Sequence, residues 1–127
     1  MHNSRETALL AAEAADDKKA SNILILDLRG LTYIADYFMI CSGNNPAQVG
    51  AVSDWIEESL ARIGERVSHH IEGQTEASWV LMDYGDMVVH IFDEEARVYY
   101  NLEKLWGDAP RVPLQLKAGS QRAHLPG

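Results

Sequence analysis

The sequence predicts an α/β protein, a mixed sheet of about five strands with helices packed on it. Three observations predict this class. Helical and strand-like patterns alternate through the first half of the chain. Two apolar runs in the second half flank Asp83-Tyr84-Gly85-Asp86, which reads as a tight hairpin. The chain has 127 residues, 46% of them apolar, which is one domain's worth of material with enough to bury a core.

The elements follow in order. Residues Arg5 to Ala20 are alanine-rich and helix-favouring, with Leu9, Ala12 and Ala15 near one face. Ile23 to Leu28 reads as a strand closed by Arg29-Gly30, and Tyr37 to Cys41 as a second strand stopped by Ser42-Gly43. Asn45 is a good N-cap and Pro46 a good first helical residue. The helix they start carries Val49, Val52, Ile56, Leu60 and Ile63 as a core stripe and stops at Gly64. A third strand is expected over Arg66 to Ile71, and a short helix over Glu94 to Leu105 with Tyr99, Leu102 and Leu105 inward. After Trp106, the prolines and glycines of residues 107–127 suggest a loose tail, so the domain is expected to span residues 1–106.

Charge narrows the function. The net charge is −8, and the tail from Gly107 carries three basic residues (Arg111, Lys117, Arg122) against Asp108, which leaves −10 on the body. Val67 to Ala96 holds seven acids and no Lys or Arg. Such a field repels phosphate backbones, so DNA or RNA is not an expected autonomous ligand. It is either a solubility surface or a docking face for a basic protein. No apolar run approaches the roughly 20 residues of a membrane helix. The start of the chain does not read as a secretory signal, and the single Cys41 fits a reducing, cytoplasmic setting.

The hairpin is the most informative element. With a two-residue loop at Tyr84-Gly85, Asp83 pairs with Asp86, Leu81 with Val88 and Trp79 with His90. One face carries Val80, Met82, Met87, Val89 and Ile91 and must be the core side. The other carries Trp79, Leu81, Asp83, Asp86, Val88, His90 and Phe92. Aromatic and aliphatic groups with acids at the rim describe a protein interface. The alternative is that a helix covers this face too. A longer loop shifts the pairing without changing which residues alternate.

No motif carries catalysis. There is no dinucleotide or phosphate-binding glycine loop, no Gly-x-Ser-x-Gly and no Asp-x-Asp. His69 and His70 are adjacent and point to opposite faces of a strand, so with Cys41 and His90 they match no zinc pattern. Cys41 has no local basic group to activate it, and Ser42-Gly43 reads more simply as a turn than as a nucleophile. No metal, cofactor or catalytic residue is expected.

Four segments carry a resemblance: Asp27-Leu28-Arg29-Gly30, then Ala35-Asp36-Tyr37-Phe38-Met39-Ile40-Cys41-Ser42-Gly43, above all Trp79-Val80-Leu81-Met82-Asp83-Tyr84-Gly85-Asp86-Met87-Val88-Val89-His90-Ile91-Phe92, and Arg97-Val98-Tyr99-Tyr100-Asn101-Leu102-Glu103-Lys104-Leu105-Trp106. From Glu6 to Trp106 the chain resembles the Iojap-like ribosomal silencing factor family. The resemblance implies a degenerate nucleotidyltransferase fold without its catalytic acids. It implies binding to large-subunit ribosomal protein fourteen on the intersubunit face of the large ribosomal subunit, steric blocking of subunit joining, and repression of translation when nutrients are short. It also implies a possible homodimer. Carried onto this sequence, Trp79 is the aromatic anchor, flanked by Leu81 and Val88. Asp83 and Asp86 pair with basic groups, Tyr84 adds contact at the turn tip, and His90 donates a hydrogen bond. Met87 stands where the family often has Val, on the core face. Two rival readings remain at this stage: an active nucleotidyltransferase using Ser42-Gly43, and a scaffold whose Trp79 face pairs with itself.

Overall fold

Asn3 starts the first helix with a reciprocal cap: its side chain accepts from the Glu6 N–H, and the Glu6 carboxylate accepts from the Asn3 N–H. The computed structural model describes residues 3–64 and 66–116. Its elements are α1 (Ser4–Asp17), β1 (Ser21–Asp27), β2 (Tyr37–Gly43), α2 (Pro46–Arg62), β3 (His70–Glu72), β4 (Trp79–Asp83), β5 (Met87–Asp93), α3 (Glu94–Tyr100) and α4 (Leu102–Leu105). The strands form one mixed sheet in the order β1-β2-β5-β4-β3. Only β2 and β5 run parallel; the other neighbours are antiparallel. The fold class expected from sequence is therefore the one observed.

The parallel pair sits at the centre, and both of its faces are covered. β2 is buried along its whole length, and β5 up to its last residue. On one face, α1 and α2 pack the alanines of α1 and Val49, Val52, Ile56 and Leu60 of α2 against Ile25, Met39, Val80, Met82, Val89 and Ile91. The Asn45 cap forms as expected, its side chain accepting from the Gln48 N–H. Ile63 leaves the stripe: it follows the last helical residue and is exposed. On the second face, a smaller cluster joins Leu24, Leu26, Leu28, Phe38, Ile40, Val88 and Phe92 to Leu102, Trp106 and Ala109.

Two expectations about the end of the chain need correction. The helix over residues 94–105 is broken at Asn101, which adopts the left-handed conformation (φ 46°). The break turns the helical phase, so Tyr99 and Leu105 are exposed while Leu102 packs inward. The segment 107–116, expected to hang loose, is packed. Ala109 and Val112 are buried. Leu26 forms a bridge with Arg111, the Asp27 N–H donates to the Pro110 carbonyl and the Val112 N–H to the Ile25 carbonyl. This strap covers the outer edge of β1, which would otherwise present unpaired backbone groups. Residues 117–127, with Lys117 and Arg122, lie outside the described residues.

Candidate docking face

The expected pairing of the hairpin is off by two residues. Asp83 pairs with Val88, Leu81 with His90 and Trp79 with Phe92. The turn is Tyr84-Gly85-Asp86-Met87: the Tyr84 N–H donates to the Met87 carbonyl, and the Asp86 N–H to the Tyr84 carbonyl. Gly85 (φ +88°) takes the left-handed position that closes it. An even shift preserves the faces, so Val80, Met82, Met87, Val89 and Ile91 do form the core side, each fully buried.

The second face is neither wholly open nor wholly covered. Over β5 and β2 it lies under the second cluster, and Val88, His90 and Phe92 are buried. Over β4 and β3 it opens. Trp79, Leu81 and Asp83 are half-buried there, and β3 sets exposed His70 opposite Asp83 and exposed Glu72 opposite Leu81. His70 Nε2 lies 2.7 Å from the Glu72 carboxylate. An open half-sheet thus carries an apolar strip between charged groups.

Trp79 forms its wall. The indole stacks on Phe92 at 5.1 Å between centroids and leans on Tyr100 at 4.5 Å. Its Nε1–H donates to His90 Nδ1 at 3.1 Å, so the ring is held by three side chains before any partner arrives. Its backbone is also held. Gly73 (φ +86°) lies so close that a Cβ there would strike the Trp79 carbonyl oxygen, and the Ala77 N–H closes the loop onto the Gly73 carbonyl at 2.9 Å. Gly73→Ala is expected to cost about 2 kcal/mol through strain and clash. Urea unfolding measures this, and an unchanged midpoint would contradict the packing described.

The structure separates the seven expected contact residues. Trp79, Leu81 and Asp83 share the open half-face. Asp86 sits at the turn and accepts from Arg66 Nη2 at 2.7 Å. Three expectations are corrected. Tyr84 is not at an exposed tip: alternation turns it to the opposite face, where it is 1% exposed between the sheet and the first two helices, and burial pushes its phenol up to about 12. Val88 lies under the second cluster rather than flanking Trp79 at the surface. His90 does not donate outward; its Nδ1 accepts from Trp79. Sequence reasoning missed Tyr100, His70 and Glu72. Glu72 could have been found by extending the alternation of β3, whereas Tyr100 depends on the Asn101 break.

Cys41 and Ser42, the nucleophile candidates of the sequence, are committed to the interior. Burial pushes the Cys41 thiol up to about 12, which leaves it an inert core group. Ser42 is buried, and its hydroxyl accepts from Arg97 Nη1 at 2.8 Å. Arg97 also reaches the Asn22 carbonyl and both oxygens of Glu103, tying α3 to β1, β2 and α4. The open cleft beside it, about 590 Å³, contains that spent guanidinium and carboxylate rather than a pair of free acids. Among the described residues no group of three or more His, Cys, Asp or Glu side chains is placed to hold a metal, and no helix is long and apolar enough to cross a membrane.

Comparison with known proteins gives a consistent result. The family model described as ribosomal silencing factor during starvation matches residues 1–125. A ribosomal silencing factor of Bacillus subtilis is 49% identical over 112 residues, covering 88% of this chain and 94% of its own. The chloroplastic protein Iojap of Zea mays is 38% identical over 117 residues, covering 91% of this chain and 49% of its own. A crystal structure from Bacillus halodurans superposes with a TM-score of 0.75 at 42% identity, covering 87% of this chain and 99% of that one. One from Chromobacterium violaceum gives 0.80 at 32% identity, covering 92% and 96%. The matched family is described by silencing, not by a reaction.

Proposed function

Because the chain belongs to the ribosomal silencing factor family, we propose that it docks through the open half-face of β4 and β3 onto large-subunit ribosomal protein fourteen. Bound there, in the cytoplasm, it bars the small subunit from the intersubunit face and represses translation when nutrients are short. The observation that supports this reading is the preformed Trp79–Tyr100 wall beside the acids Asp83 and Glu72. An aromatic anchor with an acidic rim fits a basic protein surface and repels the ribosomal RNA around it. Trp79 is the anchor, Leu81 the apolar floor, and Asp83 the ion-pair partner.

A subunit-joining assay tests the proposal. Purified subunits are mixed with the protein and sedimented, beside a Trp79→Ala variant whose folding has been checked. The expected result is that the wild type travels with the large subunit and prevents joining, and that the variant does neither. If the wild type stays at the top of the gradient as a homodimer and joining proceeds, the face serves self-association instead. Charge argues against that outcome, since pairing the face with itself gathers Asp83 and Glu72 of both copies.

A further inference from the structure

The two acids at the hairpin turn, Asp83 and Asp86, differ in what they already touch. The Asp83 Oδ1 accepts from the Gly85 N–H at 2.7 Å, a local bond that leaves its negative charge unneutralised. Asp86 is paired within the chain. Arg66 Nη2 donates to its carboxylate at 2.7 Å and to the Tyr84 carbonyl at 2.8 Å, and Arg66 Nη1 donates to Thr7 Oγ1 at 3.1 Å. Thr7 is fully buried on α1, and its hydroxyl donates in turn to the Asn3 carbonyl. One planar guanidinium therefore joins the first helix to Tyr84 and Asp86 of the turn. The Asp86 backbone works on the other side: its carbonyl accepts from the N–H groups of Asp36 (2.8 Å) and Tyr37 (3.3 Å), where β2 begins. Arg66 is itself fixed, its N–H donating to the Leu60 carbonyl at the end of α2.

We infer that Arg66 is the positioning residue of the docking hairpin: it holds Asp86 as an internal strut, so that the turn is preformed and Asp83 alone of the two acids faces the partner. The inference rests on the docking reading above. It assigns opposite consequences to charges of the same region. Removing Arg66 makes the protein one unit more negative. If charge alone mattered, association with a basic partner would speed up. If Arg66 positions the turn, docking weakens.

The test is a double-mutant cycle, Arg66→Gln and Asp86→Asn singly and together, with Asp83→Asn and Arg66→Lys beside it. Binding to the isolated large subunit is followed at several salt concentrations. In parallel, amide exchange of Asp36, Tyr37 and Asp86 is measured in the free protein. Arg66→Gln and Asp86→Asn are expected to weaken docking alike, on the order of ten-fold, with the double variant no worse than either. Both keep the wild-type salt dependence and speed exchange at the three amides. Arg66→Lys, a single point charge without the fork, recovers only part of the affinity. Asp83→Asn instead slows association by roughly three- to ten-fold and flattens the salt dependence. Tighter docking by Arg66→Gln, or a flattened salt dependence in Asp86→Asn, overturns the inference. If the wild type itself does not bind the subunit, the docking reading fails. The amide exchange of the cycle then decides the strut alone: additive effects overturn it and non-additive effects uphold it.

Discussion

Replacing Trp79 by Ala is expected to weaken binding to the large ribosomal subunit by about 30- to 700-fold, the span that roughly 2–4 kcal/mol covers for an aromatic anchor. The size follows from how the ring is held. Phe92, Tyr100 and His90 fix its orientation in the free protein, so little side-chain entropy is lost on docking. Part of the effect is internal, since Tyr100 loses the nearest ring it leans on and His90 Nδ1 its donor. Trp79→Phe separates the two contributions. Phenylalanine keeps an aromatic surface against Phe92 and Tyr100 but cannot donate to His90. It should retain most of the stacking, lose the indole bond, and fall between Ala and the wild type in affinity. Equilibrium binding to isolated subunits measures the series, with urea unfolding of each variant beside it. Ala binding as tightly as Trp would remove the half-face as the docking site.

Much of the fold was legible because local signals and the global pattern agree. Asn45-Pro46, the stripe from Val49 to Leu60, and the alternation of β4 and β5 each have a physical cause within a few residues of themselves. What was illegible depends on distant partners. The register of the hairpin was set by Tyr84 closing on Met87, not by the Tyr84-Gly85 pair that the residue types suggest. The exposure of Tyr99 and Leu105 follows from one left-handed residue, Asn101, that no periodicity announces. The packing of 107–116 depends on the free edge of β1, which proline content cannot reveal. For the proposed docking face, alternation alone places Trp79, Leu81 and Asp83 together on one face of β4, as the structure has them. Val88 and His90 differ from expectation because alternation tells which face a residue takes, not where along the sheet a neighbouring helix stops covering it; Tyr84 differs because the alternation of β4 runs on through it to the core face instead of ending at an exposed tip.

His90 should make the protein acid-sensitive before its carboxylates do. The ring is 4% exposed among Phe38, Trp79 and Phe92, and Nε2 has no hydrogen-bond partner among the described residues. Because Nδ1 accepts the Trp79 indole N–H, the neutral ring carries its proton on Nε2. Burial pushes its pKa down from 6.5 to about 4. The unfolded chain takes up a proton as pH falls through 6.5, whereas the folded protein resists until about 4. Stability is therefore full above the upper value and declines across that window, by about 3 kcal/mol in total. Asp27 acts lower. Its carboxyl, hydrogen-bonded by Arg29, is held below 3.8, so the stability it contributes is lost only as pH falls beneath that value. Urea unfolding at stepped pH from 7 to 4 should show the decline in the wild type. His90→Gln, which keeps an acceptor for Trp79 and removes the titrating ring, should flatten it. Parallel curves for the two proteins would show that His90 is not the group responsible. The same protonation converts Nδ1 from acceptor to donor, facing the indole N–H. The Trp79 ring then loses its seat, and docking should weaken in step with stability as the medium turns acid.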